Sequence, residues 1–332
     1  MAEEDGAEMR PRSERSPVCM RHAARAYGGL MAVAATRRLW APPKVERVAA
    51  ALVAAASFEY QLGTHFHLVT REPGSERPDL PIWAPSPHAV SFSSAGWGPV
   101  ERSDVPGVPG AFVLSNVLTE TECDSISALS EAMGYTEDAP VSLGRRIRRN
   151  ENCVIIADET LWQPIWERVR THMPPSVDHP MGTCRAPVGL NQRWRLYKYG
   201  IEDVFRMHTD GSWPGSGLDG RGRLVRDIYG DRWSQLTFLI YLDGDYEGGE
   251  TTFFVPSDAD PRHGSLVSVA VPKGSCLLFF HGEHEHSLLH EGSLVTKGVK
   301  RIVRSDVLYT LPGASAEAAQ KGQCAAEEVR IS

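Results

Sequence analysis

The chain predicts a mainly β, α+β fold: a closed sandwich or jelly roll with helices ahead of it. Three observations carry this expectation. About eight short strand-like runs with Gly-rich turns fill residues 193–311. Three helical stretches precede them. An apolar fraction of 42 % allows these layers to bury a sizeable core.

Taken in order, residues 1–40 are polar and Arg-rich without a sustained period, and read as a poorly ordered leader. Residues 42–56 begin with two prolines and continue Ala-rich, which predicts a short helix. Residues 72–110 are rich in Pro, Gly and Ser and read as a linker or an extended wrapping segment. The boundaries expected are therefore leader, short helix and linker over 1–107, one domain over 108–312 with its barrel core at about 190–311, and a tail over 313–332.

Within that domain Phe112 opens a short strand. Thr119 and Glu122 form a capping box, predicting a helix to about Met133 that Gly134 closes. Residues 145–156 have strand-like content. The segment from Glu159 to His172 is amphipathic through Leu161, Trp162, Ile165, Trp166 and Val169 and stops at Pro174. Strands are then predicted at 193–199, 205–210, 235–243, 251–255, 265–271, 275–280, 285–290 and 300–311. The upstream helices would pack against one sheet.

A net charge of −7 gives no electrostatic case for nucleic acid or an acidic membrane as partner. Six cysteines are scattered singly without a CxxC, which reads as reduced thiols in an intracellular compartment. No apolar run reaches the roughly 18 residues of a membrane span. The acidic start, Met1 to Asp5, does not suit a secretory signal. A cytoplasmic location is expected, with organellar targeting through the Arg/Ala-rich leader as the alternative.

The chemistry sits in three residues. His208 and Asp210 are one residue apart in a strand-like run, so their side chains leave the same face. His290 lies far along the chain. Two imidazoles and one carboxylate form the facial triad of non-haem Fe(II) oxygenases, with open positions left on the metal. Structural zinc prefers closed four-ligand sites rich in Cys, and no Cys adjoins these residues in sequence. Lys300, ten residues after His290, suits the far carboxylate of a dicarboxylate cosubstrate.

The surrounding text extends the pattern: Arg195-Leu-Tyr-Lys-Tyr199-Gly, Phe205-Arg-Met-His208-Thr-Asp210, Ser234 through Ile240-Tyr241-Leu-Asp243, Tyr246-Glu-Gly-Gly-Glu-Thr-Thr-Phe253, and His290 through Lys300 to Arg304 and Tyr309. Over 190–310 the chain resembles the 2-oxoglutarate- and Fe(II)-dependent dioxygenases, most of all their prolyl 4-hydroxylase-like branch. Residues 108–189 resemble the helical support of that family more loosely, and 1–107 lie outside it. The resemblance implies a double-stranded β-helix of the cupin-like jelly-roll kind, with His208, Asp210 and His290 binding Fe(II). It implies that Lys300 pairs with the distal carboxylate of 2-oxoglutarate, that Tyr241 donates to the same carboxylate, and that Tyr199 faces the cosubstrate or metal pocket. It further implies O2 as cosubstrate, ascorbate as reductant, and hydroxylation of an unactivated carbon with release of succinate and CO2. A prolyl residue of a protein or peptide is the leading substrate. A small molecule or nucleobase on the same core, and a non-catalytic cupin-like metal-binding module, are the alternatives.

Several residues stay open at this level. Arg304, four after Lys300, either backs the carboxylate site or pairs with a core acid such as Asp306. His281, His284 and His286 crowd His290 and read as a polar rim loop or a second metal site. His290 is preferred as ligand because it alone has the ten-residue spacing to Lys300. The insert 211–233 reads equally as a substrate lid or a surface loop. The run 145–152 reads as a solvated face rather than a substrate groove. Gly248-Gly249 reads as a hairpin turn. Asn191 and Arg193 receive no role.

Overall fold

The computed structural model describes residues 37–38, 58–93, 98–140, 143–178 and 182–313. The helix expected over 42–56, nearly all of the leader, and the tail beyond 313 lie outside the described residues.

Two β-sheets face one another, and two helices cover the outer side of the larger sheet. The large sheet runs Phe66–Glu72, Leu80–Pro85, Glu151–Ile156, Arg193–Tyr199, Lys300–Thr310, Arg232–Tyr241, Cys276–Phe280, Phe112–Ser115, Glu101–Asp104, with Cys184–Leu190 also pairing to Lys300–Thr310. The small sheet runs Arg37–Arg38, Gly264–Val269, Thr251–Pro256, His290–Gly292, Val204–His208, Arg148–Arg149. Period-2 alternation explains the layering. Tyr197, Tyr199, Leu239, Tyr241, Leu277, Phe279 and Ile302 turn inward and pack with Phe205, Phe253 and Val267 between the sheets. Their neighbours Trp194, Leu196, Phe238, Ile240, Leu278 and Val303 turn outward onto the helices. A strand buried on both faces reads as a continuous apolar run, which is why Leu236–Leu242 looks as it does in sequence.

The Glu120–Met133 helix starts on the predicted capping box, with both reciprocal bonds formed, and ends at Gly134 with φ 88°. It buries Cys123, Ile126, Leu129 and Met133. The second helix, Glu159–Val169, buries Leu161, Ile165, Trp166 and Val169 and tightens into a 3₁₀ turn over Arg170–His172.

Three expectations change. The stretch 285–290 is not a strand: the strand begins at His290 and runs to Gly292, so the residues before it form the turn that delivers His290. Residue 107 is not a structural boundary, because Glu101–Asp104 pairs with Phe112–Ser115. The Pro-rich stretch is no free linker either: Leu80–Pro85 lies in the large sheet beside Glu151–Ile156, in parallel.

A single carboxylate holds part of that stretch down. Asp138 accepts from the backbone N–H groups of Ser75 (3.2 Å), Glu76 (2.8 Å), Arg77 (2.9 Å) and Ala139 (2.8 Å) and from the Ser75 hydroxyl (3.0 Å). Burial would raise its pKa, but these donors hold it down to about 2. Its contribution to stability is therefore present above the ordinary Asp range and lost as pH falls toward 2. Asp138→Ala leaves these donors unpaired and is expected to cost about 1–3 kcal/mol, read as a lower midpoint in chemical denaturation at pH 7.

Candidate metal centre

His208 and His290 are direct cross-strand partners in the small sheet, next to a bulge between Phe205 and His208. Asp210 follows two residues after His208, just past the strand end, where its carbonyl accepts from Gly282 N–H at 3.0 Å. His208 Nε2 lies 3.7 Å from Asp210 Oδ1, and His290 Nε2 lies 3.7 Å from Oδ2. One ligand atom from each residue lies within 4.8 Å of the others, the spacing a single ion would bridge. Among the described residues this is the one such group of His, Cys, Asp or Glu.

The protonation states suit a cation. His208 Nδ1 lies 2.8 Å from the Arg206 carbonyl and His290 Nδ1 3.2 Å from the Leu288 carbonyl. A carbonyl only accepts, so each Nδ1 carries the proton and each Nε2 keeps its lone pair. Burial, with the neighbouring His290, depresses His208 to about 3. Burial likewise lowers His290. Burial alone would raise Asp210, yet Arg304 and the Thr237 hydroxyl hold it well below the usual carboxylate range. Phe205 stacks on His208 with ring centroids 3.6 Å apart, and Phe279 packs edge-on against His290 at 4.6 Å, so both rings are fixed by packing.

A cavity opens from this triad between the sheets, lined at one end by Lys300, Tyr199 and Thr251. Lys300 is 1 % exposed. Its Nζ donates to the Gly249 carbonyl at 2.6 Å and lies 5.1 Å and 5.3 Å from the ring centres of Tyr199 and Tyr241. No carboxylate of the described residues forms an ion pair with it, and burial depresses its pKa to about 7, with Glu250 opposing the shift from a distance. The Gly248-Gly249 turn, at φ 74° and 66°, is what brings that carbonyl under the ammonium. A Cβ on Gly248 would fall 2.3 Å from the Leu294 carbonyl oxygen. The Tyr241 hydroxyl lies 2.6 Å from Thr251 Oγ1 at the same end.

Arg304 lies elsewhere. Four residues along a strand is about 13 Å, so it does not share a carboxylate with Lys300. Its Nη2 is 3.3 Å from Asp306 and 3.4 Å from Asp210. It thus makes the core ion pair that was one of its two sequence readings, and adds a contact to the triad.

The histidine cluster divides. His284 and His286 are part-exposed, with His284 stacked on Phe280 at 3.8 Å. His281 is not on a rim loop: it is 1 % exposed and sits behind Asp210. Its role follows from donor counting. Thr237 Oγ1 donates to Asp210 Oδ2 (2.7 Å), so His281 Nδ1 must donate to Thr237 (2.9 Å). His281 Nε2 then accepts from Ser234 Oγ (2.9 Å), which accepts from the Trp213 backbone N–H (2.8 Å). This buried chain links the triad carboxylate to the insert, and sequence reading missed Thr237, Ser234 and His281 as its members. Thr237→Val removes the donor to Asp210 and is expected to weaken metal binding about 10- to 100-fold, read by Co(II) titration.

The insert is anchored at its start. Asn191 donates to the Pro214 carbonyl at 3.1 Å and accepts from Ser216 N–H at 3.1 Å. Further on, Leu218 and Leu224 pack on Ile82, Val154 and Ile156, so this part of the insert is a docked hairpin. In the run 145–152, Arg145 and Arg149 are exposed as expected, but Arg148 is 4 % exposed and turns inward over Tyr197 and Phe205.

No family profile and no curated protein matches the sequence. Among solved structures, the chain is similar to a Pseudomonas putida prolyl-4-hydroxylase, with 15 % identity over 60 % of this chain and 92 % of that one at a TM-score of 0.37. It is also similar to a viral collagen prolyl hydroxylase from Paramecium Bursaria Chlorella virus-1, with 15 % identity, 65 % and 98 % coverage and a TM-score of 0.37. A prolyl hydroxylase from Trichoplax adhaerens, in complex with a hypoxia inducible factor oxygen degradation domain peptide fragment, matches at 15 % identity, 61 % and 83 % coverage and a TM-score of 0.38. At these scores the likeness carries no weight for activity, which rests on the geometry of the triad and its cavity. No helix among the described residues is long and apolar enough to cross a membrane.

Proposed function

We propose that the chain is an Fe(II)- and 2-oxoglutarate-dependent dioxygenase that hydroxylates an unactivated carbon, releasing succinate and CO2. The observation that carries this reading is Lys300: a buried ammonium that no carboxylate of the described residues ion-pairs, in the same cavity as a two-histidine, one-carboxylate cluster. An unpaired buried cation is costly, and a dicarboxylate cosubstrate is the group that would offset it.

In this reading His208, Asp210 and His290 hold the metal through two neutral imidazoles and one carboxylate. That donor set leaves adjacent positions for an anionic chelator. Iron and 2-oxoglutarate, when bound, supply oxidative decarboxylation by O2 and with it the oxidising power for C–H hydroxylation. Lys300 takes the distal carboxylate, with the Tyr241 and Tyr199 rings near the ammonium. Their hydroxyls stay protonated, because burial pushes both pKa values above the usual range. Each is thus a donor. Thr237 and Arg304 hold Asp210 ionised and oriented. The apolar walls formed by Phe205, Leu239 and Ile302 exclude water from the reacting positions.

A prolyl residue is the proposed substrate on the strength of the sequence resemblance in the barrel strands. The test is succinate and hydroxyproline formation with Fe(II), 2-oxoglutarate, ascorbate and a panel of Pro-containing peptides. Succinate without hydroxyproline would discard the prolyl substrate alone. No succinate from the metal-loaded chain, coupled or uncoupled, would discard the enzyme.

A further inference from the structure

The end of the cavity away from Lys300 is also cationic, and the cosubstrate reading gives a role there to Arg304 but none to Arg148 or Arg195. Arg148, Arg195 and Arg304 converge on the Tyr197 ring. The Arg148 guanidinium lies 4.4 Å from the ring centre. Antiparallel register puts Arg195 directly beside Arg304, on the face that carries Tyr197 and Tyr199. Asp210 and Asp306 both form ion pairs with Arg304. The Arg195 side chain forms no hydrogen bond or ion pair with any described residue, and the charged side chains that act on it are Arg304, Arg148 and Arg193. Arg304, 8 % exposed and lining the cavity, has a buried Nε without a hydrogen-bond partner.

The Tyr197 phenol reports the resulting field. Burial alone would raise its pKa, yet the three guanidinium groups hold it down to about 8. Arg304 lines the cavity and Arg195 lies beside it on the same face of the sheet, and like charges so placed repel one another unless an anion joins them. Arginine, with its planar fork of donors, is the side chain suited to receiving a carboxylate at such a place.

We propose that this end of the cavity is a second anion subsite, in which Arg195, flanked by Arg148 and Arg304, receives a free carboxylate of the substrate. The substrate class is then an amino acid or a C-terminal residue presenting its own carboxylate, rather than an internal residue of a neutral peptide. The inference rests on the proposed function for the place of metal and cosubstrate: Lys300 binds one anion and the arginines the other, with Lys300, Arg304 and the triad lining one cavity.

The experiment is calorimetric titration of the full chain loaded with Mn(II) and saturating 2-oxoglutarate, using N-acetyl-L-proline and its uncharged counterpart N-acetyl-L-prolinamide. The acid is expected to bind at least tenfold more tightly than the amide. Arg195→Gln should erase that preference and Arg195→Lys should keep part of it, while 2-oxoglutarate affinity stays within twofold in both. Equal binding of acid and amide, no binding of either, or a preference that survives Arg195→Gln would overturn the subsite. The 2-oxoglutarate titration in the same protein is read separately. Its failure would strike the cosubstrate reading, and the acid–amide comparison in wild type and Arg195→Gln, repeated without 2-oxoglutarate, would still decide the arginine subsite.

Discussion

His290→Ala is expected to reduce succinate release at least 1,000-fold, a loss of about 4 kcal/mol in transition-state stabilisation. The reason is arithmetic at the metal. With three protein ligands a divalent ion keeps adjacent open positions, and with two its residence becomes short. Metal affinity should fall at least 100-fold, which titration with Fe(II) or Co(II) measures directly. His290 is the informative ligand to remove, because it is neutral and its loss leaves the charge balance with Arg304 intact. Removing Asp210 would instead leave Arg304 with Asp306 as its remaining ion pair, and so mix a metal effect with a folding effect. His290→Ala does lose packing against Phe253 and Phe279, so a thermal midpoint should accompany the titration. A variant that folds, yet turns over within tenfold of wild type, would remove His290 from the metal.

The second large effect is at Lys300, where function and stability should move in opposite directions. Lys300→Met is expected to weaken 2-oxoglutarate binding at least 100-fold, about 2.7 kcal/mol. The same substitution should stabilise the ligand-free chain by about 1–4 kcal/mol, because it replaces a buried ammonium with an apolar side chain of similar length. The pH dependence has a definite sign. Burial lowers the folded pKa from 10.5 to about 7. Between those values the unfolded chain binds more protons than the folded one, so wild-type stability rises with pH across that window relative to Lys300→Met. The gain from Lys300→Met is thus largest below pH 7 and fades toward pH 10.5. For the same reason, wild type should take up close to one proton on binding 2-oxoglutarate at pH 8.5, seen as a calorimetric heat that varies with buffer ionisation enthalpy. A variant that binds 2-oxoglutarate normally, or is plainly less stable without it, would sink this role for Lys300.

Most strands from 193 onward were legible because their residues alternate between the two faces of the sheet or run apolar throughout. Tyr197 and Tyr199 face one way and Trp194 and Leu196 the other, and the pattern shows without coordinates. The first helix was legible from its capping box. The early strands were not. Phe66–Glu72 and Leu80–Pro85 sit among Pro, Gly and charged residues, and they become strands because Asp138 ties down the loop between them and Glu151–Ile156 offers a pairing edge. Neither partner is near in sequence. His281 was misread for a similar reason. Three histidines in six residues look alike as text, and only one has a hydroxyl waiting on each ring nitrogen.

The sequence by itself determined the ingredients of the centre: a His-x-Asp pair in a strand, a distal histidine, and a lysine ten residues beyond it. Those are local spacings, and the period of a strand converts them into faces. Tertiary structure alone decided what the faces meet. It paired His208 with His290 across the small sheet, buried Lys300 without an ion pair among the described residues, sent Arg304 to Asp210 and Asp306, and set Arg195 beside it. Charge compensation is a sum over neighbours brought together from the whole chain, so it appears only when the sheets close.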